Sequence, residues 1–141
     1  MILTTTDIIN GMRRFGEFKG VYPIDMLPRE LHNKPFGIIV NLDASYLPGS
    51  HWVSAYFPAF GSAMYFDPYG LEPPGPLKTF MERNSSIYGW ESSKARFQGD
   101  LSIKCGYYCM MFLKEKFNNL DNILETCEFS KNERIIKNVF K

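Results

Sequence analysis

The stretch from Cys105 to Phe117 leaves almost no polar face, because Tyr107, Tyr108, Met110, Met111, Phe112 and Leu113 crowd a run with the length of a buried helix. A helix that is apolar nearly all round has to be covered on every side, so the rest of the chain must wrap it. With 141 residues there is room for one ordinary domain and none for a second. The expectation is therefore a single domain over residues 1–141 built around this central helix. The 12 Phe, 8 Tyr and 2 Trp supply the material, each able to bury roughly 150–250 Å².

What wraps the helix reads as a mixture of strands and further helices. Ile8, Ile9, Met12 and Phe15 have helical spacing behind the capping run Thr4-Thr5-Thr6-Asp7, with Gly16 at the expected C-terminal cap. Gly20 to Lys34, broken by Pro23 and Pro28, reads as an ordered loop leading to a buried strand at Gly37 to Leu42. After the turn Leu47-Pro48-Gly49-Ser50, His51 to Phe57 and Ala63 to Asp67 read as a hairpin turning at residues 58–62. Pro76 opens a helix from about 76 to 88, Lys94 to Gln98 reads as another strand, and Ser130 with Glu133 matches a capping box ahead of a last helix. The class is α+β: a small, mainly antiparallel sheet flanked by helices.

Charge and cysteine content narrow the function classes. With 16 Lys+Arg against 15 Asp+Glu, the net charge of +1 gives no support to a chain held on nucleic acid by bulk electrostatics. Cys105, Cys109 and Cys127 are odd in number and lack metal-type spacing, and only two histidines, His32 and His51, are present, so neither a disulfide framework nor a structural zinc site is expected. A reducing compartment follows. No leader precedes the fold and no apolar run approaches the roughly 18 residues of a membrane helix, so a soluble protein without membrane contact is expected. Phosphate-binding glycine motifs and a G-x-S-x-G elbow are absent.

Four positions carry chemistry. Cys105 stands at the start of the central helix, where unpaired N–H groups and the dipole favour thiolate over thiol, and Gly106 beside it leaves room for a substrate backbone. His51 begins a strand at a sheet end, and Asp67 ends the partner strand at the same end, so a carboxylate and an imidazole can meet. Gln98 can donate to an oxygen that turns negative during attack on a carbonyl, with the Cys105 N–H as second donor. Taken singly, each has a blander reading: a core cysteine, a surface histidine, a turn aspartate, a loop glutamine. Together they are what acyl transfer through a thioester needs. Cys109, one turn beyond Cys105, and Trp52 read as core residues.

In these motifs and their order the chain resembles the adenovirus maturation protease (adenain) family, cysteine peptidases of papain-like type related more distantly to the ubiquitin-like-protein (SUMO) proteases. His51-Trp52, Asp67-Pro68-Tyr69-Gly70, Gln98-Gly99 and Cys105-Gly106 look like the family's His-Trp, acidic-Pro-aromatic-Gly, Gln-Gly and Cys-Gly, over about Phe18 to Phe117. Two departures stand out: the adenoviral acid is Glu where this chain has Asp67, and the part after Cys105 is shorter.

The resemblance implies a cysteine endopeptidase with Cys105 as nucleophile, His51 as base, Asp67 as orienting acid and Gln98 as oxyanion donor. It implies viral or virus-like-element precursor proteins as substrates, cut after small residues, often Gly, during particle maturation. The location expected with it is the virion or the host nucleus or cytoplasm, as a monomer. The family is activated by DNA and by a viral peptide attached through a disulfide. Residues 84–97 hold no Cys for such an attachment, no cofactor is required by the sequence, and weak DNA binding stays open. Two alternatives remain: a protease that removes ubiquitin-like modifiers, and a noncatalytic peptide-binding module of the same fold.

Overall fold

The computed structural model describes residues 3–43, 51–93, 105–119 and 129–140. Its elements, in chain order, are α1 (Thr5–Met12), β1 (Phe18–Pro23), a 3₁₀ turn (Ile24–Met26), β2 (Phe36–Asn41), β3 (Trp52–Phe57), β4 (Ala63–Phe66), α2 (Gly75–Asn84), β5 (Trp90–Ser92), α3 (Cys105–Phe117) and α4 (Phe129–Val139). The strands form one sheet in the order β1-β2-β3-β4-β5. The two central pairings are antiparallel and the two outer ones parallel, so the α+β class holds with a mixed sheet.

Strands β2 and β3 are apolar almost without a break because both faces of the sheet are covered. On one face Ile39, Trp52 and Phe66 pack with Ile8 and Met12 of α1, the body of α3, and Ile136 of α4. On the other, Phe36, Ile38, Val40, Val53, Ala55, Phe57, Ala63 and Tyr65 pack with Leu77, Phe80 and Met81 of α2. Helix α3 lies close on the sheet at Gly37, where an added Cβ would come within 2.6 Å of Leu113 Cδ2 and 2.9 Å of Phe117 Cζ. The near-absence of a polar face on α3 thus has its reason: nine of its residues, from Cys105 to Glu115, are buried. Among the described residues no helix is long and apolar enough to cross a membrane.

Several expectations change in detail. The segment read as loop from Gly20 carries β1, an edge strand whose register shifts between Phe18 and Val21 and whose residues are all half-buried. Gly20 at φ 119° and Pro23 at the strand's end interrupt any apolar alternation, as bulges and edges do. Helix α1 is closed at its start by a Thr4–Asp7 capping box, but it ends at Met12 with Arg13 as C-cap, short of Gly16. Helix α2 stops at Asn84, not near Tyr88. Its Asn84 side chain turns back to donate to the carbonyls of Phe80 and Arg29 and accepts from the Leu31 N–H. Ser130 does not cap the last helix, because it already lies inside α4, and Glu133 is engaged instead by the Tyr108 hydroxyl at 2.7 Å. The expected turn at Leu47 to Ser50 and the expected strand at Lys94 to Gln98 lie outside the described residues, and β5 precedes the latter.

Candidate active site

Hairpin β3–β4 sets the base and the acid. Its register pairs Ser54 with Phe66, so beyond the paired residues Asp67 stands diagonal to His51 at one sheet end. His51 flanks β3 and its carbonyl accepts from the Leu42 N–H at 2.9 Å, which ties its backbone to the sheet. Its Nε2 lies 3.3 Å from Asp67 Oδ2, with the His51 side chain 23% exposed and that of Asp67 1%. Asp67 is fixed from a second direction, since Oδ1 accepts from the Tyr69 N–H at 2.8 Å and its carbonyl accepts from the Gly70 N–H at 2.8 Å. Gly70, at φ 77°, supplies the left-handed conformation that the turn requires. With Nε2 turned to Asp67, Nδ1 is the imidazole nitrogen left for a reaction partner.

The nucleophile candidate arrives on a different element. Cys105 opens α3 and is 3% exposed, and its Sγ accepts from the backbone N–H of Trp52 at 3.4 Å. Trp52 adjoins His51 in the chain, so the helix terminus is fastened to the strand end that carries the imidazole. Burial pushes the Cys105 thiol up, and the Asp67 carboxylate adds to that, while the N–H groups of Trp52, Gly106 and Cys105 pull it down. Desolvation of the sulfur thus opposes the thiolate that the N–H groups around it favour. Gly106 also differs from expectation. It is buried, and an added Cβ would come within 2.8 Å of Leu3 Cδ1 and 3.3 Å of Trp52 Cδ1. Its small size admits core side chains, not a substrate.

The structure thus brings His51 and Asp67 into contact and seats Cys105 against the residue after His51. Gln98 lies outside the described residues, as does Cys127. Cys109 is buried and in no disulfide, and Trp52 is 3% exposed, both in the core as expected. Two participants were not anticipated. The Trp52 N–H at the sulfur leaves no trace in a sequence. The Tyr69 ring lies against His51 with centroids 5.3 Å apart and planes 16° from parallel, and its one signal was its place in the Pro-aromatic-Gly segment. Among the described residues no group of three His, Cys, Asp or Glu side chains could hold a metal ion.

A histidine on a buried carboxylate, and a helix-terminal thiol bonded to the backbone of the residue after that histidine, are side chains of the kinds with which cysteine peptidases work. Comparison with known proteins finds similarity to cysteine proteases. No family model matches the chain. It is 29% identical over 96 residues to the "Cysteine protease S273R" of African swine fever virus from a Malawi tick isolate, and 28% identical over 96 residues to the "SUMO-1 cysteine protease S273R" of a Namibian warthog isolate. Each match covers 60% of this chain and 35% of the relative, so the matched part spans about a third of the length of those curated relatives. The crystal structure of the pS273R protease of African swine fever virus superposes with a TM-score of 0.70 at 19% identity, over 99% of this chain and 67% of that one. A second crystal structure of that protease, with selenomethionine, gives 0.54 at 23% identity, over 75% of this chain and 44% of the other. The fold is that of these viral proteases.

Proposed function

We propose that the chain is a cysteine endopeptidase that cleaves viral or virus-like-element precursor proteins after small residues, often Gly. The observation that carries the reading is the buried Asp67 on His51 beside a helix whose first residue, Cys105, is held at the strand end bearing that histidine. The viral cysteine proteases among its relatives support the same reading.

In the proposed reaction the substrate carbonyl settles over Sγ, and the Cys105 proton passes to His51 Nδ1 as sulfur attacks. Asp67 holds the tautomer that leaves Nδ1 unprotonated and then balances the imidazolium. The Cys105 N–H and Gln98 donate to the oxyanion. His51 returns the proton to the leaving amine, and water hydrolyses the thioester with His51 again as base.

The test is digestion of a random peptide library by the 141-residue chain, read by mass spectrometry beside Cys105→Ala. Cleavage after small residues, absent from the variant, is the expected result. A library left uncut by both proteins would overturn the reading. The name "SUMO-1 cysteine protease" borne by one relative favours a second reading, removal of ubiquitin-like modifiers. Its mark is cleavage of folded ubiquitin-like fusions in preference to peptides of the same tail sequence.

A further inference from the structure

We infer that Tyr69 is a positioning residue that fixes the plane of the His51 imidazole, an inference that rests on the peptidase reading and adds a part to its machinery. His51 stands just outside β3 and is partly exposed, and among the described residues its side-chain hydrogen bond goes to Asp67, which constrains a single edge of the ring at the long distance of 3.3 Å. One such contact leaves rotation about the Nε2–Oδ2 line open, and this rotation swings Nδ1 away from the thiol. The Tyr69 ring closes that freedom by covering one imidazole face at 5.3 Å between centroids. Its own backbone N–H is bonded to Asp67 Oδ1, so one residue holds the acid through its main chain and the base through its side chain. The turn Asp67-Pro68-Tyr69-Gly70 is a clip on both groups.

The requirement is for an aromatic face, not for bulk. Tyr69→Leu keeps an apolar side chain and the backbone N–H but removes the face, whereas Tyr69→Phe keeps all three. An aromatic pair at this level of preorganisation corresponds to about ten-fold in rate at its upper range. The experiment compares both variants with the parent chain. Proton NMR follows the His51 ring, with His32 as internal reference, and steady-state kinetics follow the best peptide from the library. The expected result is that the His51 ring protons, shifted upfield in the parent and in Tyr69→Phe, lose that shift in Tyr69→Leu. With it, kcat falls about ten-fold while KM stays within about two-fold. Equal shifts or equal kcat values in the Leu and Phe variants would overturn the inference. If the parent cuts no peptide, the peptidase reading fails by itself, and the clip is judged by the His51 shift together with the rate of Cys105 alkylation at pH 8. Slower alkylation in Leu than in Phe supports it, and equal rates overturn it. Tyr69 is half-buried in a turn; should Leu prevent folding, Tyr69→Met supplies the same contrast.

Discussion

Replacing Asp67 with Asn tests the site most directly, because the carboxylate uses its two oxygens on two different donors. Oδ1 accepts from the Tyr69 N–H at 2.8 Å, and Oδ2 meets His51 Nε2 at 3.3 Å. An amide has only one oxygen. If it stays on Tyr69, the NH₂ group faces His51, Nε2 has to accept, and the ring proton moves to Nδ1, the nitrogen that takes the proton of Cys105 in the proposed reaction. If the amide turns over, its NH₂ group meets the Tyr69 N–H, and buried donors are left without an acceptor at a cost of about 1–3 kcal/mol. Converted at 1.36 kcal/mol per decade, this disfavours the competent tautomer by roughly 5- to 150-fold. Loss of the charge that balances the imidazolium adds to it, and a triad aspartate changed to Asn elsewhere lowers kcat by about 10⁴. The expected fall in kcat is therefore about 10²–10⁴-fold, with KM nearly unchanged because Asp67, 1% exposed, is out of a substrate's reach. Steady-state kinetics on the best library peptide, with a thermal melt as folding control, measure it. A kcat within five-fold of the parent, or a rise confined to KM, would refute the tautomer argument.

Two further outcomes follow from the helix that carries the thiol. Gly106→Ala sets a methyl against the flexible end of Leu3, which can turn aside, and against Trp52, which must give by a few tenths of an ångström, so urea unfolding should change by no more than about 1 kcal/mol while kcat falls because Trp52 anchors both Sγ and the strand end; an unchanged kcat would show that Trp52 yields freely. Burial raises the Cys105 thiol above its ordinary value of 9.0, so the folded chain keeps that proton to higher pH than the unfolded chain does: the stability linked to it is complete below about pH 9 and drains away as pH rises through the folded value, while iodoacetamide labelling of Cys105 climbs over the same window. Fast labelling already saturated at pH 6 would reverse the sign.

The parts of this molecule that could be read in advance are those in which a local rule and the tertiary environment agree. The apolar run Cys105–Phe117 is a helix with those same bounds, because only a central position could cover it. The β3–β4 hairpin places His51 and Asp67 at one end, because strand alternation and a five-residue turn fix its register. Where the two disagree, the reading fails. Strand β1 has half-buried residues throughout and a bulge, so neither a period of two nor a continuous apolar run marks it. The thiol's acidity depends on how much water the packing removes from sulfur, which spacing along a chain does not encode. Gly106 shows the same limit: its missing Cβ serves Leu3 and Trp52, which approach from distant parts of the sequence.

The separation of the reacting groups along the chain has a consequence for the order in which reactivity appears. His51 and Asp67 stand 16 residues apart within one hairpin, a contact that closes early and cheaply, but Sγ meets the Trp52 N–H across a separation of 53. Until α3 docks on β3 the chain holds a base without a nucleophile and, elsewhere, a nucleophile without a base. On the proposed reading, a nascent or unfolded molecule is thus unable to cut itself or its neighbours, and hydrolytic competence comes together with the burial of the central helix.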